Sequence, residues 1–295
     1  MAIIRQANRW CDPIDHQTLQ ALRDIDFNTP PPVPRHELLQ FRGLRTRMAM
    51  LAEQGLDIDC MQTEQFIGAA LCVQQKAKVV VGRCEYDFEV TDDWIRKIEH
   101  HLPAKFFWLA TNKTCSDGRV ISLPLGLNDF CNYSDFHLIC GNTDLILQYR
   151  PGRTQRNSQA LICFNDNSHP SRAHARRVLA GTEKATELAL APTLSAFIRY
   201  LQALAKFDFC ICPRGVGIDT HRLWEALYLG CIPIITSAEY LECHKGLPLL
   251  VIERWEDLLT MDLAASAREI RARYYDLRRL SLSYWAQQAE FYAMW

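Results

Sequence analysis

Residues 207–236 read FDFCICPRGVGIDTHRLWEALYLGCIPIIT, and this stretch constrains the fold more tightly than any other. An apolar run ends in Pro-Arg-Gly. A loop carrying Gly215 and Gly217 follows, then a helical pattern stopped by Gly230, then a second apolar run. Two apolar runs joined by one helix form a βαβ unit, which sets the strands parallel and requires cover on both faces of the sheet. Upstream, KVVVG (78–82), FFWLA (106–110), VISLPLG (120–126) and LILQY (145–149) read as strands, with a helix over 92–100. ALICF (160–164) and PLLVI (248–252) read as further strands. Helices are expected over 171–180, 193–205 and 221–229, and the chain after PLLVI looks helical to its end.

RPGRTQRNSQ at 150–159 is polar and carries Pro and Gly, so it marks a boundary. The expected fold class is α/β, with two Rossmann-like domains facing each other across a cleft. Residues 1–152 are expected to form an N-terminal domain and 153–295 a C-terminal one, with the last helix free to pack back on the first. A length of 295 residues suits two cores of ordinary size.

A net charge of -1 gives no global pull toward nucleic acid or a membrane surface. No apolar run approaches the roughly 18 residues of a membrane span, and MAIIRQANRW lacks the apolar core of a secretory signal. A soluble, cytoplasmic protein is expected. The twelve cysteines contain no CxxC pair. Cys210 and Cys212 share one face of a strand as small core residues, no ligand spacing indicates a metal, and reduced thiols are expected. Asn112-Lys-Thr and Asn132-Tyr-Ser fit the glycosylation pattern but read as chance without a secretory signal. Trp94, Trp108 and Trp224 are expected in the core rather than stacked on a bound ligand.

The loop CPRGVGIDTHRLWEAL lies where a strand hands over to a helix, which is where open parallel sheets bind ligands. Gly215 and Gly217 let backbone approach a ligand, Asp219 or Thr220 can cap the helix, and its first N–H groups face an anion. Arg214 and Arg222 supply fork donors suited to phosphate oxygens. Glu225, one helical turn beyond Arg222, can accept hydrogen bonds from ribose hydroxyls; a surface ion pair with Arg222 is the open alternative. Phosphate donors followed by a diol acceptor describe a nucleoside diphosphate. Neither a GxxxxGKS/T loop nor a GxGxxG loop occurs, which argues against ATP hydrolysis and hydride transfer. Arg172 and Arg176 are further candidates for the diphosphate, and the alternative for these two and Arg177 is one solvated helix face.

FDFCICPRGVGIDTHRLWEALYLGCIPIIT, followed by LPLLVIERWEDL, resembles the donor-sugar domain of the exostosin-like glycosyltransferases. ICFNDNSHPSRAHARRV is similar to the asparagine-then-arginine segment that opens that domain, which adds Asn165 to the donor-binding set. FFWLATNKTCSDGRVISLPLGLND is similar to the family's N…iPlG stretch. The compact length resembles the soluble members encoded by bacteria and large algal viruses. The resemblance implies GT-B architecture and transfer of a sugar from a UDP-sugar, with UDP-xylose as the guess, to a glycan hydroxyl with inversion. It implies no metal and no cofactor beyond the co-substrate. VVVGRCEYDFEV offers Glu85, Asp87 and Glu89 just after a first-domain strand, and Asp87 falls where the resemblance places the family's aspartate; Glu85 is the alternative base. Where many relatives read His-Asn-Ser-Asp, this chain reads Arg83-Cys-Glu-Tyr-Asp87. Two rival readings are a metal-dependent GT-A enzyme, using Asp24-Ile-Asp26 or Asp57-Ile-Asp59, and a non-catalytic nucleotide-sugar or glycan-binding protein.

Overall fold

A computed structural model describes residues 35–72, 77–83, 88–128, 143–149, 156–189, 191 and 193–295. Its first sheet has four parallel strands in chain order: β1 (Ile58–Gln62), β2 (Val79–Arg83), β3 (Phe107–Ala110) and β4 (Val120–Ser122). The helices are α1 (Phe41–Glu53), α2 (Thr63–Cys72) and α3 (Asp92–Ile98). Side chains alternate across the sheet with period two. Val79, Val81 and Leu109 pack with Leu44 and Met48 of α1 on one face. Val80, Trp108 and Ala110 pack with Phe66, Ile67 and Ile95 on the other. Both faces are covered, which is why these strands read as continuous apolar runs.

One expected strand is a helix. LILQ lies in α4 (Thr143–Gln148), with Asp144 in its first turn and Ile146 buried, and Tyr149 follows the helix as a turn. A short apolar run carries no period that separates strand from buried helix, and here the acidic first turn decides.

The second sheet holds β5 (Asn157–Ile162), β6 (Ala185–Glu187), β7 (Phe207–Ile211), β8 (Ile232–Thr236) and β9 (Leu250–Ile252). Strand β5 thus begins inside the segment read as a boundary. All pairs are parallel, in the order β6-β5-β7-β8-β9. Helices α5 (Pro170–Leu179), α6 (Leu194–Lys206), α7 (His221–Tyr228), α8 (Leu263–Arg271) and α9 (Leu282–Met294) complete this half. Local chemistry starts them: Pro170 opens α5, Thr193 Oγ1 accepts Ala196 N–H at α6, and Asp262 and Ser281 cap α8 and α9.

The strand order reverses at β5. The chain leaves β5 for the edge strand β6, then returns to lay β7 on the other side of β5. The helices after β5 and β7 therefore diverge and leave a crevice at the carboxyl ends of these two strands. No such reversal occurs in the first sheet among the described residues. Helix α9 crosses back onto α1, β1 and β2. Ser283 donates to the buried Glu37 through N–H (2.9 Å) and Oγ (2.8 Å), and Lys78 Nζ donates to the Ala293 carbonyl at 3.0 Å.

Candidate functional site

The crevice is built around one ring. Phe164 follows β5, and the guanidinium carbons of Arg176, Arg222 and Arg172 stand 5.1, 5.6 and 6.0 Å from its centroid. Two come from α5 and one from α7, the two helices that diverge at the reversal. The ring's negative face holds three like charges that would otherwise repel. Arg176 is committed to Asp166, Glu187 and the Phe164 carbonyl. Arg172 donates from Nε to the Arg214 carbonyl and from Nη1 to the Asn165 carbonyl, both at 3.1 Å. Burial, then the Arg222 charge, pushes its pKa down to about 10. Arg222 is the unspent member: its Nε is buried without a hydrogen-bond partner among the described residues. Arg177 points to solvent. One helix thus supplies both readings considered from the sequence, Arg172 and Arg176 facing inward and Arg177 outward.

The glycines serve side-chain contacts. A Cβ on Gly215 would lie 2.6 Å from Arg172 Nη2, and one on Gly217 would lie 2.6 Å from Asn112 Nδ2. Arg214 donates through Nη2 to Glu89 of the first half (2.8 Å), and its backbone N–H donates to the buried Glu239 (3.0 Å), which also accepts Ser171 Oγ (2.9 Å).

Asp219 and Thr220 do not cap α7 with their side chains. The Thr220 hydroxyl makes no cap bond. Asp219 is fully buried and accepts Leu125 N–H (2.7 Å), Thr220 N–H (2.8 Å) and Trp224 Nε1 (2.9 Å). Its own N–H donates to Asn112 Oδ1 at 3.0 Å. His244 Nδ1 accepts Leu241 N–H, so its ring proton sits on Nε2, 3.3 Å from Asp219 Oδ1. Asp219, Cys243 and His244 bring potential ligand atoms within 4.8 Å of one another, yet these oxygens are already occupied by N–H donors. The cluster is a hydrogen-bond node that ties the loop to the first half. Asn112 adopts φ 51° to reach it, and its burial there removes it from any glycosylation.

Glu225 is 6% exposed and accepts Tyr200 Oη at 2.8 Å, and no ion pair joins it to Arg222. The surface pair weighed from the sequence does not form. Burial raises the Glu225 carboxyl to about 7, against the Tyr200 bond and the Arg222 charge. Asn165 is exposed at the crevice mouth and contributes its carbonyl to Arg172.

Asp87, Glu85, Asp24, Asp26 and Asn132 lie outside the described residues. Asp57 and Asp59 are exposed at the amino end of β1, the edge opposite the one where a strand hands a metal-binding pair to its ligand. Trp108 and Trp224 are fully buried, and Trp94 packs on Phe88 with Lys97 over its ring. A cavity of about 400 Å³, lined in part by Asn157, Gln159, Lys184 and Asp262, opens at the amino end of β5, away from the crevice. Sequence reasoning missed Phe164, Glu239, Asn112 and His221. Phe164 was findable, because it is the aromatic residue that ends ALICF ahead of the arginine-bearing helix.

Fold and site together define a parallel α/β protein with an arginine-lined crevice at a reversal of strand order. Residues 135–244 match the family described as the Exostosin GT47 domain. Three proteins of Arabidopsis thaliana named probable glycosyltransferases are similar: 31% identical over 88 residues, 33% over 63 and 39% over 41. These segments cover 30, 21 and 14% of this chain and only 17, 12 and 8% of the three relatives. Over these segments the chain is similar to the exostosin-like glycosyltransferases, and it spans less than a fifth of the length of each of the three relatives. No helix among the described residues is long and apolar enough to cross a membrane.

Proposed function

We propose that this chain is an inverting glycosyltransferase of GT-B plan that binds the diphosphate of a UDP-sugar at the crevice between β5 and β7. The observation that carries this reading is the trio of guanidinium groups around Phe164, with Arg222 Nε unspent. Guanidinium forks and the uncapped start of α7 favour phosphate oxygens, and they favour them more as the leaving diphosphate gains charge. In the transfer, the acceptor hydroxyl oxygen bonds to the anomeric carbon, the bond from that carbon to the phosphate oxygen breaks, and its electron pair leaves on UDP. The hydroxyl proton passes to a carboxylate, for which Asp87 is the choice and Glu85 the alternative. Arginines then do the work that a divalent cation does elsewhere, so turnover persists in EDTA. UDP-xylose as donor, a glycan as acceptor and a cytoplasmic setting complete the proposal.

Calorimetry with UDP tests the placement. Arg222→Ala weakens binding by about tenfold to a hundredfold, as loss of a charge-assisted hydrogen bond does, while Arg177→Ala leaves it unchanged. Equal affinity in Arg222→Ala and wild type refutes it. Asp87→Asn keeps donor affinity and lowers kcat by about a hundredfold or more. Normal turnover in that variant moves the base to Glu85.

A further inference from the structure

The two ring nitrogens of His221, the first residue of α7, have different surroundings. Nδ1 lies 2.7 Å from the carbonyl oxygen of Gly126. A carbonyl only accepts, so the ring proton sits on Nδ1 and Nε2 carries a lone pair. That carbonyl is held in place. Gly126 has φ +68°, and a Cβ there would stand 2.4 Å from the Leu39 carbonyl oxygen, so only glycine fits without moving the backbone. The His221 side chain is half-buried, and Nε2 has no partner among the described residues.

The charges that act on the ring place it between the two carboxyl edges. Arg83 ends β2 of the first sheet, Arg222 is the next residue of α7, and Asp219 opposes them. Burial, then Arg83, holds the imidazole down to about 4, which keeps it neutral at physiological pH. An acceptor therefore stands among donors. Phosphate oxygens are satisfied by arginines and cannot bond to a lone pair on nitrogen. A hydroxyl can.

We propose that His221 Nε2 accepts a hydrogen bond from a hydroxyl of the sugar ring carried by the donor nucleotide, beside the diphosphate held by Arg222 and Arg172. This rests on the UDP-sugar reading above. It divides the crevice by chemistry, with guanidinium donors for the diphosphate and one fixed acceptor for the glycosyl group.

Two isosteres separate this contact from a merely structural tie to Gly126. In His221→Asn the amide nitrogen takes the place of Nδ1 and keeps the Gly126 bond, but nothing remains at Nε2. In His221→Gln the amide oxygen reaches the Nε2 position, but the Gly126 bond is lost. Calorimetry with UDP, UDP-glucose and UDP-xylose is expected to give UDP affinities within about twofold of wild type for both variants, and UDP-sugar affinity lowered about threefold to tenfold in His221→Asn but largely kept in His221→Gln. The inference is overturned if His221→Asn keeps full UDP-sugar affinity, or if UDP and UDP-sugar weaken equally. A wild-type protein that binds neither UDP nor a UDP-sugar overturns the donor reading itself, and this inference with it. Nitrogen NMR of the wild-type imidazole gives a check that needs no variant. A UDP-sugar shifts the Nε2 resonance and UDP does not; the absence of that difference also refutes the contact.

Discussion

The two parallel sheets differ in strand order, and the difference assigns their work. In the first, β1 to β4 lie side by side in chain order, so successive helices leave no crevice at the described carboxyl edge. In the second, the reversal at β5 parts α5 from α7, and Phe164 with its three arginines fills the gap. The first sheet instead sends contacts to the second. Glu89 reaches Arg214, the Leu125 N–H and Asn112 hold Asp219, and the Gly126 carbonyl holds His221. A sheet without a reversal can still complete a site by bracing the loop of one that has it.

Removing the brace separates the two sheets most strongly. Asp219→Ala strips the acceptor from Leu125 N–H, Thr220 N–H and Trp224 Nε1 in a buried setting, which is expected to cost about 3 to 5 kcal/mol. Asp59→Ala, at an exposed aspartate on β1 of the first sheet, is expected to stay within about 0.5 kcal/mol. Urea unfolding of both variants checks the contrast, and equal losses remove the special status of the loop.

A smaller effect comes from Glu225 on the wall of the crevice. Its carboxyl ionises near 7 in the fold against an ordinary 4.5, so the native state holds a proton that the unfolded chain has released. The stability contribution is present in full below about 4.5 and is lost as pH rises through about 7. Between these limits stability falls by about 2 to 4 kcal/mol from this group. Glu225→Gln cannot ionise and should lack that slope. Urea midpoints measured from pH 5 to pH 8 test it, and parallel pH curves for the variant and wild type would place the carboxylate in solvent.

Much of the second sheet was legible because its strands are buried on both faces. FDFCI was read at the bounds it has, and the five residues of β8 are all buried. Strands β1 and β6 were missed for the opposite reason, being edge strands that carry Asp59 and Glu187 within three to five residues. The glycines and arginines of the loop could be named from spacing, yet spacing could not say which arginine turns inward. Arg172 and Arg177 are separated only by the helical phase of α5 against Phe164. Asp219 was misread as a cap because most of its partners lie far off in the chain: Leu125 is 94 residues away and His244 is 25. A short-range pattern carries no trace of such contacts.

A diphosphate is expected at the reversal between β5 and β7 and not at the first sheet's carboxyl edge. Amide hydrogen exchange of the intact chain with and without UDP tests it most directly. Exchange is expected to slow over residues 163–176 and 213–224, with the amides of β1 to β4 unchanged. Protection confined to the carboxyl ends of β2 and β3, or to the cavity around Asn157 and Lys184, would contradict it.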